Sequence, residues 1–452
     1  MLGHQRYAEV LSTPFRPPSG TATRRRPARS GVRRHLPYGW ISPHRSADLL
    51  DPSPRGAFDD ATHLGHTALS RCTRDALWAH HHGDWRHPAQ ITGAWWDGGR
   101  VDRTLLAARA RGPWWDLLAG LGVSLVVSRE YEHLLLTLGG AASVGQTYFP
   151  LPHPSGIALA PDRRSLFVAS TRNPNQILQF APQPKAEALP TALAPSRTWF
   201  YPGHLYLHDL AFVAGVLHGN AVGQNAVVRF DAEGSYERCW WPLSIESLGE
   251  DSRFARNHLQ LNSIAAGPDL VRSCFSASAA VPGTRRPGHR NFAVDGCGVV
   301  FDGATRVPLV RGLTRPHSAR FHRGALWVDN SGYGELVRVG DGSSEVIARL
   351  PGWTRGLAFV EGIAFVGTSR VLPRFRQYAP GLDLARSRCG LHAVEIATGR
   401  ILASIEWPGG NQIFAIEIAP ADWRFPFQGA RAVITEAQRR FFYTLAALER
   451  RV

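Results

Sequence analysis

The stretch RPHSARFHRGALWVDNSGYGELVRV, residues 315–339, contains three short apolar segments separated by polar and glycine-containing turns. The pair His317-Ser318 precedes the first segment, His-Arg-Gly separates it from the second, and Asn-Ser-Gly precedes the third. Short apolar runs bounded by Gly, Asn and Ser are typical of antiparallel β-strands. The stretch therefore predicts three strands of one sheet, with a histidine at the start of the first.

The same unit recurs along the chain. Its first strands begin, in order, at Ser155, His208, Asn262, His317, Arg355 and Phe414. The steps between these positions are 53, 54, 55, 38 and 59 residues, and propeller blades typically have ~40–50 residues and four strands. Radial stacking buries the faces that a lone sheet would expose. The sequence predicts an all-β protein, a β-propeller of six blades, or of seven if a hairpin predicted over 123–140 forms a separate blade.

The regions outside the repeats differ in composition. Residues 1–40 hold eight arginines and one acidic residue, and residues 41–100 remain rich in Pro, Gly and His. Such composition is typical of a disordered or loosely structured extension. We therefore predict an Arg/Pro-rich extension over 1–100, the propeller domain over 101–434 and a C-terminal helix over 435–452. A second flanking helix is predicted over 102–122 from its leucine spacing and Pro113.

The net charge of +15 does not by itself indicate a nucleic-acid partner. Lys185 is the only lysine, and the arginines are scattered rather than clustered, whereas a nucleic-acid surface concentrates its charge. We expect no specific nucleic-acid binding. No run of 18 apolar residues and no apolar signal region is present, so we expect no membrane span and no secretory signal. The five cysteines lack a C-x-x-C motif, which favours reduced thiols and a cytoplasmic location.

Polar residues stand at the entrances of the predicted innermost strands. In a propeller these strands line the central channel, so their entrances meet at one end of it. The candidate ligand-binding residues are His153, His208, Asp209, Asn262, His317, Ser318, Arg355 and Asn411. One interpretation is a pocket for a small molecule or a peptide. Another is a divalent metal held by His208, Asn262 and His317, because imidazole and amide groups bind such ions. A third is a structural rim of polar caps.

Several repeated phrases resemble an uncharacterised bacterial family of conserved hypothetical proteins, a domain of unknown function. These phrases are LHDLAF (207–212), LNSIAA (261–266), PHSARFHRGALWVDNSGYGELVRV (316–339), RGLAFVEGIAFVGTSR (355–370) and RCGLHAVEIATG (388–399). The resemblance covers about residues 112–420 and implies a β-propeller. It implies no activity, and it places His208, Asp209, Asn262, His317, Ser318 and Arg355 within the shared phrases.

The leading functional hypothesis is a soluble binding module with a polar pocket at the central channel. The first alternative is a metal-dependent enzyme, hydrolase-, lactonase- or oxygenase-like, with Asp209 or Glu417 as the general base. It would resemble the calcium-dependent lactonase propellers in the location of the site but not in its ligands. The second alternative is a protein-interaction scaffold. The sequence does not choose between enzyme and binder, nor does it specify the oligomeric state.

Overall fold

The computed structural model describes residues 101–139, 145–172, 175–183, 192–285, 287, 289, 291–340 and 342–428. Within these ranges the strands form six antiparallel sheets of four or five strands. The extension predicted over 1–100 and the helix predicted over 435–452 lie outside the described residues.

The strands, in chain order, are β1 (Arg109–Arg111), β2 (Val123–Arg129), β3 (Leu134–Gly139), β4 (Gln146–Pro150), β5 (Pro154–Leu159), β6 (Leu166–Ser170), β7 (Asn175–Pro182), β8 (Leu193–Tyr201), β9 (Leu207–Val213), β10 (Val216–Ala221), β11 (Ala226–Phe230), β12 (Tyr236–Trp240), β13 (Leu261–Ala265), β14 (Cys274–Ala277), β15 (Gly298–Asp302), β16 (Pro308–Leu313), β17 (Pro316–His322), β18 (Ala325–Asn330), β19 (Glu335–Val339), β20 (Ser344–Arg349), β21 (Trp353–Val360), β22 (Ile363–Ser369), β23 (Gly390–Glu395), β24 (Ile401–Glu406), β25 (Ala415–Pro420) and β26 (Phe427–Gln428). The α-helices are α1 (Trp114–Gly120) and α2 (Glu250–Arg253). Short 3-10 helices span Arg103–Leu106, Glu130–Glu132, Val222–Gln224, Leu243–Ser247, Ser331–Tyr333 and Pro373–Tyr378.

Each sheet is one blade of a six-bladed β-propeller. Blades 1 to 4 follow the chain from the innermost strand outward, as β5–β8, β9–β12, β13–β16 and β17–β20. Blade 5 contains β21–β24, with β1 at its outer edge. The inner strands β5, β9, β13, β17, β21 and β25 contact one another in that order, and β25 also contacts β5. The predicted radial copies around a shared axis are confirmed.

Blade 6 joins the two ends of the described chain. Its inner strand β25 lies antiparallel to β2, with Val123 opposite Pro420 and Ser128 opposite Ala415. The strands β3, β4 and β26 complete the sheet. The predicted hairpin is present as β2 and β3, but it belongs to the closing blade. The propeller therefore has six blades and not seven.

Six hydrophobic clusters hold the blades together, one at each junction between neighbours. The alternation of side chains along a strand explains this distribution, because successive residues point to opposite faces of the sheet. On β18, Leu326 and Val328 pack against blade 3, whereas Trp327 packs against blade 5. Both faces of each blade are apolar, so a single blade would not be stable alone.

The flanking helix predicted over 102–122 is wrong in extent. The structure has the 3-10 helix Arg103–Leu106, then β1, and only then α1. Gly112 adopts a left-handed φ of 66°, and Pro113 lacks the N–H that would continue a helix. The residues between the two helices instead pair with β24, with Ala110 opposite Ile405. Trp114 of α1 is fully buried in the cluster between blades 5 and 6.

The described part of the chain bears on two predictions, one about membrane spans and one about the cysteines. No helix in that part is long and apolar enough to cross a membrane. The described cysteines, Cys239, Cys274, Cys297 and Cys389, are free thiols, and Cys72 lies outside the described residues.

Candidate ligand site at the channel mouth

The residue before the inner strand has a left-handed backbone in four consecutive blades. These residues and their φ angles are His153 (47°), Tyr206 (53°), Gln260 (52°) and Arg315 (53°). This conformation is unfavourable by about 1–2 kcal/mol for a residue other than glycine. Strained backbone of this kind persists where the surroundings impose it, and it is frequent at functional sites. The same turn therefore leads the chain into the channel in blades 1 to 4.

A β-bulge lies near the start of the inner strand in five of the six blades, the four with this turn and blade 5. The pairing of inner and second strands shifts register at this end between Pro154 and Ile157, Gly219 and Ala221, Leu261 and Ser263, His317 and Arg320, and Thr354 and Leu357. A bulge redirects the side chains beside it. Here the bulges turn neighbouring residues of one strand toward different surroundings, the channel mouth or the next blade.

Polar side chains in the bulges join consecutive inner strands. The Oδ2 atom of Asp209 accepts a hydrogen bond from the N–H of Ile264 at 3.0 Å. The hydroxyl of Ser318 accepts one from the N–H of Gly356 at 2.8 Å. Ser263 makes the equivalent contact with blade 4. Of the predicted site residues, Asp209 and Ser318 therefore stabilise the junctions between blades.

Asp209 also forms a buried ion pair inside the channel. Both of its carboxylate oxygens accept hydrogen bonds from Arg320, at 2.8 and 3.0 Å. Burial raises the pKa of Glu417, which lies near this pair, to about 7. Asp209 and Glu417 were the candidates for a general base. The carboxylate of Asp209 is occupied by Arg320 and backbone N–H groups.

Two histidines and two arginines form the floor of the channel mouth. The ring centroids of His208 and His317 are 6.5 Å apart, with 26° between the planes. The Nη2 atom of Arg355 lies 3.4 Å from Nδ1 of His208. Arg315 precedes His317 by two residues, and its backbone oxygen lies 2.8 Å from Nδ1 of that histidine. All four residues are buried.

The environment of the floor keeps both imidazoles neutral. Burial lowers the pKa of His208 and of His317 well below the ordinary value, and the nearby charge of Arg355 lowers them further. Burial also lowers the pKa of Arg355 to about 10 and that of Arg315 below its ordinary value. At neutral pH the two guanidiniums are charged and the two imidazoles are not.

The buried carboxylate of Glu130 forms one side of the mouth. It accepts a hydrogen bond from Thr171 at 2.5 Å, and it lies 3.5 Å from Arg172 and 3.7 Å from His153. Burial acts to raise the pKa of Glu130, but Arg172, His153 and Thr171 together hold it below the ordinary value. The side chains of Arg172 and His153 are 31% and 21% exposed, so this side of the site is open to solvent.

Arg315 and Arg355 differ from Arg172 because neither has a carboxylate partner among the residues that the structure describes. Arg315 donates to the side-chain oxygen of Gln260 at 3.0 Å and lies over the ring of Tyr378 at 4.4 Å. Arg355 lies over the ring of Phe414 at 3.3 Å. Each guanidinium is therefore in direct contact with neutral groups, and the more distant charge of Glu130 opposes but does not cancel the effect of burial on the pKa of Arg355.

Two predicted site residues make other contacts. The amide nitrogen of Asn262 donates to Ser278 at 3.1 Å and to the backbone oxygen of Pro316 at 2.9 Å. The backbone N–H of Asn411 donates to Glu132 at 2.5 Å. Of the eight candidates, the contacts bring His208, His317 and Arg355 together on the floor and place His153 beside Glu130. Within the described ranges, no group of three or more His, Cys, Asp or Glu residues could hold a metal ion.

Sequence reasoning did not find Glu130, Arg172, Arg315 or Tyr206. The ring of Tyr206 lies 4.7 Å from that of His208 and contacts the guanidinium of Arg172. Tyr206 and Arg315 stand two positions before His208 and His317, immediately outside the strands that the repeat identified. Glu130 and Arg172 lie in the connections that follow β2 and β6. The end of a second strand lies beside the start of its antiparallel inner strand. Polar residues just after the second strands were therefore the sequence signal that could have identified Glu130 and Arg172.

The fold and this site define the class of protein, a six-bladed β-propeller with a cationic polar cluster at one end of its central channel. Residues 112–427 match the family described as Domain of unknown function (DUF4915). The match covers more than half of the chain, and the chain belongs to this family. The resemblance seen in the sequence is thereby confirmed. A comparison with curated proteins gives no match.

Solved structures of similar fold have low sequence identity. A chain of the nidogen/laminin complex has 9% identity and a TM-score of 0.46, covering 67% of this chain and 100% of that one. A protein of unknown function from Bacteroides caccae has 9% identity and a TM-score of 0.42, covering 66% and 99%. A gluconolactonase from Xanthomonas campestris has 15% identity and a TM-score of 0.39, covering 57% and 77%. These values describe a likeness of chain trace alone.

Proposed function

We propose that this propeller is a binding module for a small anionic molecule, which it holds at the mouth of its central channel. The observation that carries the proposal is the pair Arg315 and Arg355, two buried guanidiniums without a carboxylate partner among the described residues. A buried charge is unfavourable unless an opposite charge or several hydrogen bonds compensate it. A carboxylate or phosphate group of a ligand would supply both.

The net positive charge of the channel mouth favours an anionic ligand. Arg172, Arg315 and Arg355 contribute three positive charges, and Glu130 contributes one negative charge. Arginine is suited to this role because its planar guanidinium binds carboxylate and phosphate through two parallel hydrogen bonds. The partly exposed Arg172 and His153 would attract the ligand, and the buried arginines would fix its anionic group.

The same charge disfavours the metal-dependent enzyme. A divalent cation beside His208 would lie close to the guanidinium of Arg355, which is 3.4 Å from the ring nitrogen. Repulsion between like charges is strong where water is excluded. In addition, the amide nitrogen of Asn262, the third proposed metal ligand, is bonded to Ser278 and Pro316. We therefore favour the binding module over the metal centre.

Calorimetric titration of the full chain with sulfate, inorganic phosphate, acetate and lactate tests the proposal. At constant ionic strength, we expect saturable binding of at least one of these anions to the wild type. Hydrogen bonds to a charged group contribute about 1.5–3 kcal/mol, so Arg355→Met should weaken binding by roughly 10- to 150-fold.

Arg338→Met is the matched control, because Arg338 is half exposed on blade 4 and is paired with Glu345. It should bind the anions like the wild type. Equal binding by all three proteins would show that the anions bind elsewhere, and absence of saturable binding to the wild type would refute the proposal.

A further inference from the structure

The hydrogen bonds of His317 determine which of its ring nitrogens carries the proton. Its Nδ1 atom lies 2.8 Å from the backbone oxygen of Arg315 and 3.1 Å from the hydroxyl of Ser331. A carbonyl oxygen only accepts hydrogen bonds, so Nδ1 must donate. The ring is neutral because burial keeps its pKa well below the ordinary value. The Nε2 atom of His317 is therefore an unprotonated acceptor.

This acceptor is buried and has no hydrogen-bond partner among the described residues. Leaving such a group unpaired is unfavourable by about 1–3 kcal/mol. The ring lies next to His208 at the mouth and packs on its other side against Trp353, with ring centroids 5.0 Å apart. The ring of His317 therefore belongs to the same cluster as Arg315 and Arg355, the two guanidiniums without a carboxylate partner among the described residues.

His208 has the opposite arrangement. The guanidinium of Arg355 can only donate, so the Nδ1 atom of His208, 3.4 Å away, accepts from it. The neutral ring then carries its proton on Nε2. The mouth thus presents one imidazole as a hydrogen-bond donor and the other as an acceptor, beside Arg355.

We infer that the ligand is a hydroxy acid, an inference that rests on the anion site proposed above. Its carboxylate would receive hydrogen bonds from the guanidiniums and from Nε2–H of His208. Its neighbouring hydroxyl would donate to Nε2 of His317. An amino acid fits less well, because its ammonium group would face the charges of Arg315 and Arg355. A simple carboxylate would leave the acceptor of His317 unpaired.

The first test measures the protonation of the imidazoles in the absence of any ligand. Histidine-selective ¹⁵N labelling of the full chain, followed by long-range correlation of ring nitrogens with ring protons, distinguishes the two neutral forms. We expect a protonated Nδ1 and an unprotonated Nε2 for His317, and the reverse for His208. The variants His317→Phe and His208→Phe assign the signals. A protonated Nε2 on His317 would overturn the inference.

The second test compares acids that differ only by a hydroxyl, lactate with propionate and glycolate with acetate. Since an unpaired buried acceptor is unfavourable by about 1–3 kcal/mol, each hydroxy acid should bind the wild type roughly 5- to 150-fold more tightly. In His317→Phe the two members of a pair should bind alike. His392→Phe is the matched control, because His392 is another buried neutral histidine but lies on β23, within blade 5. It should retain the preference.

The outcomes separate this inference from the proposed function. Equal binding of lactate and propionate to the wild type would overturn the hydroxy acid and leave the anion site intact. Tighter binding of inorganic phosphate than of either hydroxy acid would also overturn the hydroxy acid as the ligand class. Failure of every anion to bind would overturn the proposed function itself. The comparison of acid pairs uses the wild type, so it does not depend on the folding of a variant.

Discussion

Replacement of Arg355 by methionine should stabilise the ligand-free protein, although it removes a charge-bearing residue from the centre of the fold. The pKa of Arg355 is lowered by burial to about 10. This value lies below the pKa of arginine in the unfolded chain. Burial of the charged Arg355 therefore lowers the free energy of unfolding at every pH below about 10. Each factor of ten in proton affinity corresponds to about 1.4 kcal/mol. The penalty relative to an ordinary guanidinium is therefore on the order of 3 kcal/mol.

The substitution also removes favourable contacts. The guanidinium of Arg355 lies over the ring of Phe414, and a desolvated interaction of this kind contributes about 2 kcal/mol. Methionine keeps part of the packing volume. The net gain in the free energy of unfolding should be about 1–2 kcal/mol. For a domain of roughly 320 residues the unfolding entropy is about 0.7 kcal/mol per kelvin. The thermal midpoint should rise by about 1–3 °C.

Arg320→Met is the matched comparison, because Arg320 also lies in the channel but is paired with Asp209. Removing one partner of a buried ion pair is unfavourable by about 3–5 kcal/mol. Its midpoint should fall by about 4–7 °C. Differential scanning calorimetry near neutral pH, with chloride as the only anion, measures both variants. A fall in the midpoint of Arg355→Met as large as that of Arg320→Met would refute the reasoning that Arg355, unlike Arg320, has no carboxylate in direct contact among the described residues.

Two further substitutions test the surroundings of the site. Glu130→Gln should tighten anion binding on the order of tenfold, because it removes the negative charge of the mouth; unchanged affinity in calorimetric titration would contradict the charge argument. The pKa of Glu130 is held below the ordinary value, so its contribution to stability is present at neutral pH and is lost on acidification. Melting curves between pH 6 and pH 3 should accordingly fall more steeply for the wild type than for Glu130→Gln. Gly156→Ala should lower the free energy of unfolding by about 1–3 kcal/mol, since the added Cβ would lie 2.5 Å from Cα of Asp209. Gly249→Ala is the control, because an added Cβ there has no neighbour within 4 Å, and it should change stability little. Equal denaturation midpoints for the two variants would contradict the prediction and would show that blades 1 and 2 can move apart.

The repeat predicted from sequence identified the inner strands because their pattern is local. Six stretches with the same order of polar entrance and apolar strand were visible without knowing their positions in space. The strands β5, β9, β13, β17, β21 and β25 begin within about two residues of the predicted positions. The predicted helix over 102–122 failed because β1 pairs with β24, a contact to a distant part of the chain that leucine spacing cannot reveal.

The candidate site residues were expected to converge, with His208, Asn262 and His317 as the possible metal ligands. The structure brings His208 and His317 together with Arg355, since they stand at equivalent positions of strands arranged around one axis, whereas the amide nitrogen of Asn262 is bonded to Ser278 and Pro316. Asp209 and Ser318 directly follow His208 and His317, and both residues of each pair were predicted to line the channel mouth. The β-bulges turn these two residues toward the neighbouring blade instead. A bulge shifts a side chain from one surrounding to another, and it leaves no clear pattern of residue types.

The sequence alone determined the blade as a unit and its repetition, because the alternation of side chains along a strand is a property of neighbouring residues. Tertiary structure decided the number of blades, since only the pairing of β25 with β2 places the predicted hairpin in the sixth blade. It also decided the charge of the channel mouth. Glu130 and Arg172 come from connections after second strands, and Arg315 comes from a left-handed turn. Their proximity follows from closure of the ring, which joins residues far apart in the chain.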